Sequence, residues 1–141
     1  MHTKQSNFLC SCNIRHYIII CICNMQVQRN TSLWYWAEYS TFSISDEASK
    51  YQLTVDGYSG DAGDAMAAAL YSQWNANGMM FSTADSDNDA WVAGSCAAYH
   101  GGGSWFNTCI VSHLTKDDSA IWSTGTNVLD VDASRMLVTV Y

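Results

Sequence analysis

The sequence predicts an α+β fold, with a small antiparallel sheet and one short helix supporting a large loop-rich region. Three observations carry this. Two stretches, 38–45 and 51–60, alternate apolar with polar residues; an alanine-rich stretch follows at 63–74; and residues 75–134 sustain neither a helical nor a strand period. With 141 residues, 48% of them apolar, the chain holds one domain at most.

The first strand is "EYSTFSIS" (38–45), where aromatic or aliphatic residues alternate with small polar ones, as in a half-buried strand. "YQLTVDGYSG" (51–60) is the second, running into a glycine-rich turn, with Asp46, Glu47, Ala48 and Ser49 as the hairpin connection. "GDAMAAALYSQW" (63–74) opens with Asp64, which suits a helix N-terminus, and predicts the helix. "RMLVTVY" (135–141) closes the sequence as a strand. A loop region as long as the one between needs covalent or ionic staples.

Composition changes near residue 30. The first thirty residues hold four of the six cysteines and no acid, whereas everything after them is acidic, aromatic and punctuated by glycine. Residues 1–30 are therefore expected to lie outside the fold, leaving 31–141 as the domain. "YIIICIC" (17–23) is far short of the roughly 20 apolar residues that span a membrane. It has the basic start and apolar run of a secretory leader, but the "NMQ" after it is not a small-residue cleavage site. C-x-C at 10–12 and 21–23 is not a standard zinc spacing. A formal charge of −7 with no basic stripe argues against nucleic-acid binding.

"STADSDNDA" (82–90) places Asp85, Asp87 and Asp89 at alternate positions, and no lysine or arginine lies between Lys50 and Lys116. Like charges this close ask for a counter-charge, and hard oxygen ligands favour calcium over zinc or copper. An EF-hand is excluded: counting from Asp85, its glycine position is Ala90 and its glutamate position Cys96. On residue types alone a solvated acidic turn explains the string equally well, since Asp, Asn and Ser favour turns. Catalytic readings fail. "HGGG" (100–103) resembles a lipase oxyanion loop, yet no G-x-S-x-G elbow exists and too few residues follow it for the remaining sheet. Cys109 and His113 could form a thiol dyad, but Cys96 is an equally good disulfide partner for Cys109. The sequence reads as no enzyme.

Longer patterns carry a resemblance. Ala37, Tyr39 and Phe42; Tyr51 and Leu53; Gly57 to Asp64; Asn77 to Asp89; Cys96-Ala97; Trp105-Phe106; Cys109 and Leu114 fall at the spacings of the fibrinogen-related domain. "SAIWSTG" (119–125) and "MLV" (136–138) resemble its closing segments. That module is shared by fibrinogen chains, ficolins, tenascins and invertebrate fibrinogen-related lectins. The match spans about residues 36–141 and resembles the C-terminal half of the domain, so the family implies a truncated fibrinogen C-terminal-like fold, stapled by calcium and a disulfide.

By resemblance, Asp87 and Asp89 ligate calcium with the carbonyls of Trp91 and Gly94, and Asp85 stands beside the shell. One extra residue between Asp89 and Cys96 makes Val92 and Ala93 competing carbonyl donors. Cys96–Cys109 is the implied disulfide, which requires an oxidising, extracellular setting. The implied ligand pocket is lined by Tyr99, His100, Trp105, Phe106, Cys109 and Ile110. Three positions depart from the family pattern: Ser104 replaces a tryptophan, Ile110 a histidine, and Thr115-Lys116 an asparagine-glycine. The resemblance thus implies a secreted, non-catalytic, lectin-like module binding calcium and a carbohydrate or protein ligand, as an oligomer within a longer parent. The competing expectation is a remnant with no ligand. Strand partners discriminate: if 38–45 and 135–141 pair only with each other, the sheet is too thin to be stable.

Overall fold

The structure is a computed structural model that describes residues 21–28, 33–67, 70–109, 112–115, 120–124, 126 and 128–140. Its main sheet has four strands: β1 (Cys21–Gln28), β2 (Trp34–Ile44), β3 (Leu53–Gly60) and β7 (Ala133–Val140). Their order is β3-β2-β1-β7, antiparallel throughout. A second sheet of three short strands, β4 (Ser112–His113), β5 (Ile121–Ser123) and β6 (Val128–Asp130), forms inside the region expected to be loop.

The N-terminal segment departs furthest from expectation. Residues 21–28 do not lie outside the fold; they form β1, hydrogen-bonded on both sides, to β2 and β7. A cysteine-rich, acid-free composition says nothing about strand pairing. The sequence Asn24-Met25-Gln26-Val27-Gln28 alternates, and Val27 is buried while Asn24, Gln26 and Gln28 are half-exposed. Consequently neither 38–45 nor 135–141 depends on the other: β2 sits between β3 and β1, and β7 pairs with β1.

In β2, Ala37 and Tyr39 are buried and then, out of phase, Phe42. The register with β1 slips here, and such an irregularity switches which parity of residues faces the core. On the other side Gly57, at φ +69°, meets Ser40 so closely that a Cβ would collide with the Ser40 hydroxyl. The hairpin connection forms as expected, with the Ser49 N–H donating to Asp46 Oδ1 and the Tyr51 N–H to the Asp46 carbonyl.

The helix expected over 63–74 is absent among the described residues; bends and a 3-10 turn (Ser72–Trp74) replace it. Alanine favours helix, but the backbone groups here bond elsewhere. Asp64 Oδ1 takes the N–H groups of Met66 and Ala67 as well as the Tyr39 hydroxyl, while the Met66 carbonyl accepts from Ala76 and Asn77. Leu70 donates to Thr124. Tertiary partners override propensity, and the small side chains of Ala62 and Ala65 let this segment pack against the core. The helix that does form, α1 (Cys96–His100), lies where a loop was expected; Ser95 caps it by accepting from Ala98, and Gly101 at φ +74° ends it.

Two buried clusters result. The main one joins Val27, Tyr39, Phe42, Leu53, Val55, Met66, Trp122 and Leu129 across both sheets. The smaller one, Cys96, Ala97 and Phe106 with Trp91 and Cys109 against it, anchors the loop region. Among the described residues no helix is long and apolar enough to cross a membrane.

Candidate functional site

The acidic string forms a tight loop pinned at its base. Ser82, fully buried, pairs with Ser104 in a backbone bridge and accepts the Asn88 N–H on its hydroxyl. The Asn88 amide donates to the Phe81 carbonyl, 2.9 Å away, closing the loop from inside. These bonds explain why Asn and Ser alternate with the aspartates: they satisfy backbone groups the turn leaves open.

The three aspartates then have different tasks. Asp85 is exposed and accepts the Thr83 hydroxyl at 2.6 Å, which holds its carboxyl below the usual carboxylate range. Asp87 is exposed and accepts the Asp89 N–H at 3.3 Å. Asp89 is half-buried and clamps the following turn: Oδ1 accepts the Trp91 N–H at 2.8 Å and Oδ2 the Cys96 N–H at 2.7 Å. Gly94 closes that turn by donating to the Trp91 carbonyl, and a Cβ there would stand 2.8 Å from the Trp91 ring. Val92 and Ala93, in the middle of this turn, are exposed.

The donors available here are all oxygen. A carboxylate offers about four lone-pair sites and a carbonyl two, so Asp89 and the Trp91 carbonyl keep acceptor capacity beyond the bonds they make. This chemistry fits a hard cation and not zinc or copper. Among the described residues no three His, Cys, Asp or Glu side chains gather as a metal cluster.

Cys96 and Cys109 are joined in a disulfide with Cα atoms 5.0 Å apart. Cys109 is held at φ +63° beside it. Around this link stands an aromatic platform. Tyr99, 75% exposed, meets Trp91 edge-on at 6.0 Å and His100 at 5.0 Å. His100 stacks over Phe106 at 6.3 Å, and the buried His113 packs against both.

Of the six pocket positions expected, Tyr99 and His100 present surface, Phe106 lies buried beneath them and Cys109 packs against Phe106's cluster. Trp105 is elsewhere. Its ring packs on Phe81 and Phe42, and its indole N–H donates to the Tyr51 carbonyl at 2.8 Å, so it belongs with the main core. Ile110 lies outside the described residues. Two members were not among the expected pocket residues: Trp91, expected to offer only its carbonyl, and His113. No sequence pattern marks Trp91 as a platform residue; the fold lays its ring over Gly94.

Known proteins share this arrangement of sheet and loop. The family profile of the fibrinogen beta and gamma chains, C-terminal globular domain, matches residues 14–127, well over half of the sequence. The chain belongs to this family. The match begins upstream of β1, which agrees with that strand's place inside the sheet. The fibrinogen beta chain of Gallus gallus is 43% identical over 84 residues, covering 52% of this chain and 18% of its own. A techylectin-like protein of Phoneutria nigriventer is 40% identical over 93 residues, covering 62% and 39%. Lamprey fibrin D-dimer, solved with the peptide Gly-His-Arg-Pro-amide, superposes with a TM-score of 0.74 at 26% identity, covering 84% of this chain and 44% of that one. The chain thus spans less than half the length of each of these relatives.

Proposed function

We propose that this chain is a secreted, non-catalytic recognition module whose ligand platform is held by a calcium-binding loop. Asp87 and Asp89 would hold the ion with the carbonyls of Trp91 and Gly94, and the ion would supply the positive charge that the sequence between Lys50 and Lys116 lacks. One observation carries the reading: Asp89 grips the Cys96 N–H, and Cys96 is bonded to Cys109, so the acidic loop and the platform share a single linkage. The platform offers Tyr99 and His100 to a carbohydrate or a peptide, in keeping with a relative described as techylectin-like and a neighbour solved with a peptide ligand.

The test is calcium-dependent melting of the full oxidised chain. Two carboxylates make a low-charge shell, with affinities of about 0.1 to 1 mM. At about 1 mM ion and a dissociation constant near 0.1 mM, binding adds about 1.4 kcal/mol of stability. Asp87→Ala should abolish the calcium-dependent rise in melting temperature, and Asp85→Ala should keep it. An unchanged melting temperature at about 10 mM calcium, tenfold above the weakest affinity considered, sinks the calcium reading. Ligand binding is tested separately, with Tyr99→Ala expected to lose retention on a peptide resin. Retention on an acetylated-sugar resin is expected to be weak or absent even in the wild type, because the Ile110 side chain cannot donate a hydrogen bond.

A further inference from the structure

We propose that the tip of the β2–β3 hairpin and the front of the acidic loop form a second binding site, for a neutral hydroxyl-rich ring such as a pyranose unit of a saccharide. A concavity of about 340 Å³ opens there, lined by Glu47, Lys50, Tyr51, Phe81, Thr83, Ser86 and Asn88. It shares no residue with the Tyr99 platform. Its volume is in the range of small-ligand sites.

The backbone beneath it takes a conformation that ordinary side chains rarely adopt. Lys50 and Tyr51 lie consecutively in the left-handed region, at φ +57° and +54°. Neither is Gly, Asn or Asp, the residues that tolerate this region, and such strain persists only where the surroundings enforce it. The surroundings here are explicit. The Lys50 carbonyl accepts from the Phe81 N–H at 2.9 Å and the Tyr51 carbonyl from the Trp105 indole at 2.8 Å. Both carbonyls are thereby fastened to the neighbouring loop, while both residues line the concavity. The opposite wall is equally fixed: Thr83 is bonded to Asp85, and the Asn88 amide to the Phe81 and Ser86 carbonyls. A site with both walls held beforehand loses little order on binding.

The lining selects the ligand class. The lining brings one acid, Glu47, and one base, Lys50, so it has no net charge with which to select a charged ligand. Tyr51 and Phe81 offer apolar ring surface to the C–H face of a sugar, and Tyr51 is 46% exposed. Asp85 holds the Thr83 hydroxyl proton, and the Phe81 and Ser86 carbonyls hold the Asn88 amide protons. Thr83 Oγ1 and Asn88 Oδ1 are left as acceptors and the Ser86 hydroxyl as a donor, a set that suits the hydroxyls spaced around a ring.

The experiment is saturation-transfer NMR on the full chain with methyl glucopyranoside and methyl galactopyranoside. Transfer to the ring protons of at least one sugar is expected, at about 10 mM sugar, in the wild type and in Tyr99→Ala. It should fall about tenfold in Tyr51→Ala, the equivalent of one aromatic contact. Glu47→Gln, on the exposed rim, should weaken it with the fold intact, which covers the case of an unstable Tyr51→Ala. Lys50→Gly should raise the melting temperature while weakening transfer, because glycine removes the strain and the contact together. Absent transfer overturns the proposal, as does transfer that survives in both Tyr51→Ala and Glu47→Gln. Loss in Tyr99→Ala with retention in Tyr51→Ala also overturns it, by assigning the sugar to the platform. A melting temperature that falls in Lys50→Gly refutes the strain.

Discussion

The four-stranded sheet and the 81–109 loop region are held together by different physics. The sheet has a continuous backbone ladder and a core of large apolar side chains: Tyr39, Phe42, Leu53, Val55 and Val27 are all buried. The loop region buries little beyond Cys96, Ala97 and Phe106, and depends on side chains bonded to backbone, notably Asn88, Asp89 and Asn107, together with one disulfide. The first kind of stability is diffuse and rests mainly on buried apolar surface; the second is local and answers to redox state. Binding surfaces belong on the second kind, positioned by the first.

That contrast can be broken from the sheet side first. Leu53, fully buried between β2 and the 77–79 segment, should lose about 2 to 5 kcal/mol as Leu53→Ala. The expected result in thermal or urea unfolding is global destabilisation, with sheet and loop melting together. Loop melting alone would show that the two regions are uncoupled.

Reducing Cys96–Cys109, which closes a separation of 13 residues, should cost about 3 kcal/mol by the chain-entropy account, but unevenly. Hydrogen exchange should lose protection at Trp91 and Cys96, whose N–H groups Asp89 holds, while β1, β2 and β3 stay protected. Equal loss in both regions would erase the distinction between them.

A smaller effect sharpens it at high pH. Burial, reinforced by the Asp64 carboxylate, pushes the Tyr39 hydroxyl well above its ordinary value. A raised folded-state value means that stability is complete below about pH 10, where free tyrosine is still protonated, and declines as pH rises beyond it. Tyr39→Phe should cost about 1.5 kcal/mol at neutral pH, the net worth of a hydrogen bond to a charged group, and should weaken the alkaline decline. An unaltered alkaline profile in that variant would assign the decline to other tyrosines.

Legibility in the sequence followed the same division. The strands at 38–45 and 51–60 were readable because alternation survives in each, and 135–141 because it is a short run rich in strand-forming residues; β2, β3 and β7 form there. β1 carried the same alternation over residues 23–28 but stood in a segment whose composition resembles a leader more than a strand. The 63–74 segment misled because its decisive bonds, from Ala76 and Asn77 to Met66 and from Tyr39 to Asp64, are tertiary. In the site, spacing brought the three aspartates to one loop, but Thr83 on Asp85 and Cys96 on Asp89 are what give them different tasks. Trp105 and Trp91 look alike in sequence; only packing sends one to the main core and the other to the platform.

The pairing of β1 with β7 has a mechanical consequence. Cys21, at the start of β1, lies directly opposite Val140, at the end of β7. Any segments attached to these two ends leave the sheet side by side, so tension between them would peel the pair open one hydrogen bond at a time. A load shared along the strands would require the ends to leave from opposite edges. Held by both ends, this module would yield to small forces in sequence from Val140 toward Ala133, well before the β2–β3 hairpin that carries the Lys50–Tyr51 turn felt any pull.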